Sequence, residues 1–290
     1  MLKKQQRWGW LFISPYILGL LFMHFIPVVF SLIVSFFEYD MISMGDFVGL
    51  ENFKNVFTDT EIYTAYRNTF VFALLYLPIE IFLSCVLGVA LNQKFKSIAF
   101  FRMVYYLPVI APMVAVSMIW MGLYNPYGGT FNYLFSLIGL GPFNFLYSTN
   151  WFVVIACIAA LTIWKGIGSQ AVLVLTGLQS ISNDVYEAAD IDGAGTITKF
   201  FKITMPLLSP TLFYIIMTGV IGVVNVFEIF KIMASETTAD VKTIATLVYH
   251  EAFTKIDVSQ AAAISWISFL IVSVLTIIQR KMEKRWVHYD

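Results

Sequence analysis

The chain alternates long apolar stretches with short polar segments. A helix needs about 20 apolar residues to cross the hydrocarbon core of a bilayer. Stretches of that length run over residues 8–37, 68–92, 103–124, 151–176, 207–230 and 258–279. Strands of a membrane barrel are shorter and alternate apolar with polar positions. The pattern therefore predicts an all-α membrane protein with six transmembrane helices.

Composition narrows the class of protein further. Hydrophobic residues make up 59% of the 290 residues and charged residues 12%, whereas soluble domains average about 45–50% and about 25%. Lys and Arg together number 18, as do Asp and Glu, so no net charge attracts a polyanion. These values exclude a soluble globular protein, a disordered chain and a nucleic-acid-binding protein. Neither the two cysteines nor the three histidines have the spacing of metal ligands.

The basic residues predict how the chain is oriented. Six spans place both termini on one side, and Lys and Arg collect on the cytoplasmic side of membrane proteins. With both termini inside, the inner segments hold Lys3, Lys4, Arg7, Lys94, Lys96, Arg102, Lys199, Lys202, Arg280, Lys281, Lys284 and Arg285. We therefore expect cytoplasmic termini. The first apolar stretch is too long for a signal peptide and lacks a small-residue cleavage site, so we expect it to be retained.

The segment between the fourth and fifth spans, residues 177–206, differs from the other connections. With about thirty residues it is far longer than a passive connection needs. Asp184 and Glu187 predict a capping-box-like helix start. Gly193 predicts a left-handed helix end, and Thr196 predicts the cap of a second short helix before Pro206.

This segment is acidic, with Asp184, Glu187, Asp190 and Asp192 close together. A helix lying on the inner leaflet would instead carry Lys and Arg toward anionic lipid. A short acidic helix below the membrane suits docking into a groove of a partner protein. An ordinary solvated pair of helices is the alternative.

The residues of this segment also carry a resemblance to a known family. The run Glu-Ala-Ala-Asp-Ile-Asp-Gly-Ala from Glu187 to Ala194, followed by Phe200, Pro206 and Pro210, resembles the EAA loop of ABC-importer permeases. Residues 178–181 resemble the sugar-importer branch of that family. Residues 94–108, 249–253 and 260–263 are more loosely similar to the same branch. One stretch departs from the family, because residues 233–237 read Met-Ala-Ser-Glu-Thr where the family often has Thr-Gly-Gly-Gly-Pro.

The resemblance implies a single transmembrane permease domain over residues 1–290 with the fold of a type I ABC importer. It implies that the loop is a coupling helix seated in a cleft of a cytoplasmic ATPase. The residues matching that motif are Glu187, Ala188, Ala189 and Gly193, with Asp192 beside them. The implied partners are two ATP-binding cassette subunits, a second and different permease chain, and an external solute-binding protein.

No ATP-binding motif occurs in the chain. A phosphate-binding loop needs Gly-x-x-x-x-Gly-Lys-Ser/Thr, and the sequence lacks even a Gly-Lys pair. We therefore expect a chain that is not an enzyme and holds no cofactor, with ATP and Mg²⁺ bound by the partner ATPase.

Polar residues within the spans are candidates for a transport pathway, because ionisable groups at membrane depth usually face protein or water. Glu80 and Lys165 pair with each other in one interpretation, and Lys165 faces the pathway in another. Asn225 and Glu228 lie three residues apart, which places them on one face of a continuous fifth helix. The candidate pathway residues are therefore Asn225, Glu228 and Lys165.

Three functions fit these features. The first is the permease subunit of an ATP-driven ABC importer in a prokaryotic plasma membrane, moving a carbohydrate such as an oligosaccharide. The second is an ion-coupled secondary transporter or channel that uses Glu80, Lys165 or Glu228, although no repeated halves with broken helices are evident. The third is a membrane scaffold that transports nothing.

Overall fold

The computed structural model describes residues 2–93, 96–234 and 239–288, without the side chains of residues 2–8. Lys94 and residues 235–237, which the sequence analysis named, lie outside the described residues. The described α-helices are α1 (Leu2–Leu20), α2 (Ile26–Val34), α3 (Glu51–Thr58), α4 (Thr60–Leu91), α5 (Ile98–Ile110), α6 (Met113–Leu123), α7 (Thr130–Ser136), α8 (Trp151–Ser180), α9 (Asn183–Ile191), α10 (Thr196–Lys199), α11 (Met205–Val224), α12 (Glu228–Met233), α13 (Ile244–Tyr249) and α14 (Val258–Trp286). Turns of π-helix cover Leu21–Phe25, Phe200–Thr204 and His250–Thr254.

The apolar helices agree with the predicted spans in number and approximate position. In the described residues, five helical runs are long and apolar enough to cross a membrane: Gly9–Val34, Thr60–Leu91, Trp151–Ser180, Thr196–Val224 and Val258–Trp286. The pair α5 and α6 makes a sixth if it counts as one bent span. The prediction of a helical membrane protein is confirmed.

The third predicted span, residues 103–124, is not the single continuous helix that we expected. It breaks between α5 and α6, whose axes differ by 97°. Ala111 is extended, with φ −66° and ψ 137°, because a residue before proline is disfavoured in the helical region. Pro112 therefore ends one helix and starts the next.

The fifth predicted span, residues 207–230, is displaced toward the N-terminus. Helix begins at Thr196, passes through the π turn Phe200–Thr204 and ends at Val224. The wide π turn precedes Pro206, whose ring would clash with the carbonyl of an ordinary preceding turn. The expected second short helix is thus the first part of this run. Its N-cap is Gly195 rather than Thr196.

The chain divides into two compact units, and the single domain over residues 1–290 stays a prediction. The first unit comprises Met1–Tyr63 and Leu247–Leu270. It contains an antiparallel hairpin of β1 (Phe37–Tyr39) and β2 (Met44–Phe47), with Phe37 opposite Phe47. In the turn of the hairpin, backbone N–H groups of Ser43 and Ile42 hold the pKa of Asp40 below its ordinary value.

The second unit, Thr64–Thr246 with Ile271–Asp290, contains the largest buried core among the described residues. α8 runs through this core and contributes Val154, Ile155, Ile158 and Leu161, each fully buried. α12 adds Phe230, whose ring lies edge-on to that of Phe72, 5.0 Å between centroids. This unit contains every candidate site residue that the sequence analysis named.

Candidate functional site

α9 is the helix that carries the acidic motif, and its start differs from the prediction. The N-cap is Ser182, whose Oγ accepts a hydrogen bond from the Asp184 backbone N–H at 3.2 Å. Asp184 is therefore inside the first turn, where its charge faces the positive end of the helix dipole. The expected capping box of Asp184 and Glu187 is wrong, since α8 continues to Ser180 and leaves only a two-residue connection.

The end of α9 confirms the predicted role of Gly193. This residue has φ +74°, a left-handed conformation that glycine adopts without steric penalty. Its N–H donates to the Asp190 carbonyl at 3.1 Å, and the Ala194 N–H donates to the Ala189 carbonyl at 2.9 Å. These two bonds form a Schellman motif, so the chain turns sharply out of α9 in a defined direction.

Two side-chain contacts and one buried residue fix α9 on its inner side. Ala189 is buried with 7% exposure. The Lys199 ammonium lies 2.6 Å from the carboxylate of Asp190, and the hydroxyls of Tyr186 and Thr204 lie 3.0 Å apart. Because Lys199 and Thr204 belong to the run that ends at Val224, α9 and the fifth span are joined by side chains as well as by the backbone.

The opposite surface of α9 is exposed. Glu187, Ala188, Asp192 and Gly193 are all exposed, so of the five motif residues only Ala189 points inward. Ile191 is 87% exposed, an unusual state for a large apolar side chain. Ile191 is not among the residues predicted from the sequence, although its position inside the motif was the available signal.

Lys165 has a structural environment that the sequence did not predict. Its Nζ donates to the carbonyl oxygens of Pro108, Val109 and Ala111 at 3.1, 3.2 and 2.7 Å. These carbonyls lie at the end of α5, where helix geometry leaves them without intrahelical partners. All three ammonium donors are therefore used, and the expected pairing of Lys165 with Glu80 is wrong.

Glu80 lies on the interface between α4 and α8. It is 1% exposed, and its Oε1 has no hydrogen-bond partner. That oxygen occupies the space where Gly166 would carry a Cβ, and Gly88 likewise faces Val174. The two contacts share one register, since Gly88 and Val174 each lie eight residues beyond Glu80 and Gly166.

Ser84 Oγ and Gln170 Oε1 are also buried without a partner. The α4–α8 interface thus carries a line of polar oxygens, to which Glu80 Oε1 belongs. Buried polar groups without partners are expensive in a membrane, and Gly166 and Gly88 offset this cost by letting the two helices approach closely.

Asn225 and Glu228 are both exposed, but they do not share a face of one helix. α11 ends at Val224, and Asn225 is its C-cap, with Nδ2 donating to the Ile221 carbonyl at 3.2 Å. Glu228 is the first residue of α12, so its carboxylate lies at the positive end of that helix. The pair marks a break in the chain between two helices.

The described residues contain no group of three or more His, Cys, Asp or Glu side chains arranged to hold a metal ion. A cavity of about 950 Å³ lies among α4, α5, α6 and α8 and is almost wholly apolar. Tyr105, Pro108 and Trp164 are among its lining residues. A cavity with so few polar groups has no means of orienting a hydrophilic ligand.

Comparison with known proteins identifies the family to which this chain belongs. Residues 80–288 match the family model described as binding-protein-dependent transport system inner membrane component. The probable ABC transporter permease YesP of Bacillus subtilis is 31% identical and is covered to 94%, with all of this chain aligned. The multiple sugar-binding transport system permease MsmF of Streptococcus mutans is 32% identical, with 96% of each chain covered. The trehalose/maltose transport system permease MalF of Thermococcus litoralis is 29% identical, with 96% of this chain and 94% of the relative covered.

Solved structures show the same fold. A chain of a bacterial ABC transporter involved in import of the acidic polysaccharide alginate superposes with a TM-score of 0.85 at 23% identity, with 98% of both chains covered. A second alginate transporter structure, in complex with an alginate pentasaccharide-bound periplasmic protein, gives 0.84 at 21% identity, with 97% of this chain and 96% of that chain covered.

Proposed function

Since the chain belongs to the family of binding-protein-dependent transport system inner membrane components and is the permease of a carbohydrate importer, we propose that α9 is its coupling helix. In this proposal, a conformational change in a separate ATP-hydrolysing subunit is transmitted to α9 by direct contact. The family assignment decides against an ion-coupled transporter and against a scaffold without transport activity. The chain is a multi-pass protein of the plasma membrane.

The observation that carries the proposal is the two-sided character of α9. Its outer surface presents Glu187, Ala188 and Ile191 to solvent, while Ala189 and the Asp190–Lys199 ion pair attach the inner side to the rest of the chain. A carboxylate beside small and apolar side chains suits a groove that offers hydrogen-bond donors around an apolar floor. Asp192 and Gly193 set the direction in which the chain leaves that groove.

The continuous helical run from Thr196 to Val224 gives α9 a mechanical connection to the candidate pathway. A displacement of α9 is transmitted through Lys199 and Thr204 to this run, and Asn225 lies at its far end. We place Asn225 and Glu228 on the pathway, where their exposed polar groups contact the passing solute. Lys165 supports the α5–α6 break instead, because binding a solute would take its ammonium away from the three carbonyls.

The proposed assembly contains a second, different permease chain, two ATPase subunits that bind ATP and Mg²⁺, and an external solute-binding protein. Both termini face the cytoplasm, as the distribution of Lys and Arg supports. Closure of the ATPases around ATP draws the coupling helices inward and opens the pathway to the outside.

An oligosaccharide is the proposed solute. Relatives at this level of identity are named for multiple sugars and for trehalose and maltose, which supports the class without identifying the sugar.

The test is charge reversal on the exposed surface of α9. We expect Glu187→Lys to abolish uptake of the transported sugar, while the chain still inserts and reaches the membrane at the wild-type level. Asp46→Lys is the matched control, because Asp46 is an exposed acid on the β1–β2 hairpin and its reversal leaves α9 intact. Normal uptake by a correctly inserted Glu187→Lys variant would overturn the assignment of α9.

Purification identifies the partners directly. The tagged chain, extracted in mild detergent and analysed by mass spectrometry, is expected to bring an ATPase subunit and a second six-span protein with it. A chain that purifies alone and passes solute into liposomes without ATP would contradict the proposal.

A further inference from the structure

A second cavity, of about 760 Å³, lies beside the start of α9. Its walls come from Asn92, Gln93 and Lys96, from α5, from the end of α8 and from the start of α9. The cavity is distinct from the exposed surface of α9 described above, since Glu187, Ala188 and Ile191 are not among its lining residues. The exposed residues of the proposed coupling contact therefore lie outside the cavity.

The charge of this cavity is positive. Lys96 and Arg102 line it, and none of its described lining residues is Asp or Glu. Among the described residues, neither cation forms an ion pair with a carboxylate. Asp184 lies in the first turn of α9 but is not part of the lining. The cavity thus attracts an anion without a competing acid on its walls.

Arg102 keeps an unused hydrogen-bond donor. Its Nη2 donates to the Leu91 carbonyl at 2.9 Å, which fixes the guanidinium against the end of α4. Its Nε is buried and has no hydrogen-bond partner. Because Arg102 lines the cavity, its guanidinium can donate charge-assisted hydrogen bonds to a ligand that carries anionic oxygens.

The N-terminus of α9 opens onto the same cavity. Asn183, the first residue of this nine-residue helix, and Tyr186, one turn later, both line it. The first turn of a helix presents free N–H groups and the positive end of the dipole, which favours phosphate-like anions. Two side-chain cations and one helix end therefore converge on one volume.

The position of the cavity points to an amphipathic ligand. α4 and α8 are membrane spans, and the cavity lies where they end, at Leu91 and Ser180. Ile98, Leu178 and Ile181 add apolar surface beside the cations. Basic pockets between helix ends at the membrane boundary are typical sites for phosphorylated lipid head groups.

We propose that this cavity binds the phosphate group of an anionic phospholipid of the inner leaflet. The phosphate contacts Lys96, Arg102 and the first turn of α9, and the acyl chains of the lipid contact the apolar wall. The assignment to the inner leaflet rests on the orientation given under the proposed function, whereas the site itself rests on the cavity alone. A lipid held there restrains the start of the coupling helix.

The experiment measures lipid retention by the complete chain together with the subunits that copurify with it. Complexes in phosphatidylcholine nanodiscs are titrated with phosphatidylglycerol, and bound phosphatidylglycerol is counted by native mass spectrometry. Lys96→Gln and Lys96→Gln/Arg102→Gln test the cavity. Lys281→Gln/Lys284→Gln is the matched control, because it removes the same charge from exposed positions near the end of α14.

We expect the double cavity variant to bind phosphatidylglycerol about tenfold more weakly than wild type and Lys96→Gln about threefold, in line with the loss of charge-assisted hydrogen bonds. The control variant should bind like wild type. Since Lys96 is exposed, its single variant remains informative even if the loss of Arg102 disturbs the end of α4.

Three results would overturn the proposal. The first is equal retention by the cavity and control variants. The second is displacement of the lipid by inorganic phosphate at millimolar concentration, which would identify a soluble phosphate ester as the ligand. The third is retention only after the ATPase subunits are stripped off, which would show that a partner protein fills the cavity. None of these depends on sugar uptake by Glu187→Lys, so the two proposals fail independently.

Discussion

The ammonium of Lys165 lies 2.7 Å from the carbonyl oxygen of Ala111, inside the turn that separates α5 from α6. Ala111 is the extended residue that Pro112 forces at this point. A cation in the middle of a membrane span is thereby explained by a break in a neighbouring helix. The sharp bend leaves backbone carbonyls without partners in the helix, and the ammonium of Lys165 donates hydrogen bonds to them.

Removing this cation should loosen the bend. We expect Lys165→Met, which keeps the length of the side chain, to destabilise the protein by about 2 kcal/mol, since carbonyls bonded to a charged donor lose it. Thermal unfolding of the purified complex measures the effect. Lys281→Met, at an exposed position, should leave the midpoint unchanged. An unchanged midpoint for Lys165→Met as well would show that water replaces the ammonium.

Gly166 should not tolerate a methyl group. We expect Gly166→Ala to destabilise by about 1–3 kcal/mol through overpacking, because Glu80 Oε1 occupies the space a Cβ would take. The double variant Glu80→Ala/Gly166→Ala should recover part of the loss, since the carboxyl is then absent. Gly222→Ala is the control, because no atom lies within 4 Å of the position that its new methyl group would take and α11 is likewise apolar. Additive effects in the double-mutant cycle would contradict the contact.

The left-handed turn after α9 should matter for coupling. We expect Gly193→Ala to lower sugar uptake several-fold, because an alanine at φ +74° costs about 1 kcal/mol and tilts the exit from α9. Gly195→Ala is the control, because this nearby glycine has a φ of −65°, which any residue adopts without strain. Uptake assays at matched expression compare the two. Equal uptake by both variants would show that the turn is not needed for transport.

Ile191 should be a contact of the ATPase subunit. We expect Ile191→Asp to leave membrane insertion intact and to reduce copurification of the ATPase at least about fivefold, since a charge replaces an apolar anchor at an interface. Ile42→Asp changes a similarly exposed isoleucine, at 91% exposure, in the turn of the β1–β2 hairpin. Retention of the ATPase by Ile191→Asp would remove this residue from the interface.

The break after α11 should affect the passage of solute. We expect Asn225→Ala and Glu228→Ala each to change the rate of uptake while the complex still assembles, because both side chains are exposed at the break that follows the proposed connection from α9. Size-exclusion chromatography of the complex is the control for assembly. Wild-type transport by both variants would exclude them as pathway residues.

Much of this protein follows from its sequence. The apolar stretches determined the helical class and the approximate spans, because the thickness of a bilayer fixes how many apolar residues a helix needs. The motif from Glu187 to Gly193 indicated an acidic helix with a left-handed end, and Gly193 has that conformation since few other residues reach it without strain.

The tertiary structure decided what depends on neighbours distant in the chain. Pro112 was visible in the sequence, but the partner of the broken helix, Lys165, lies 54 residues away from Ala111. Ala189 points inward and Ile191 points outward because of the residues that pack under α9. Hydropathy records how apolar a residue is, whereas the partner of a polar atom is set by the packing of helices against each other, and only the folded chain brings those atoms together.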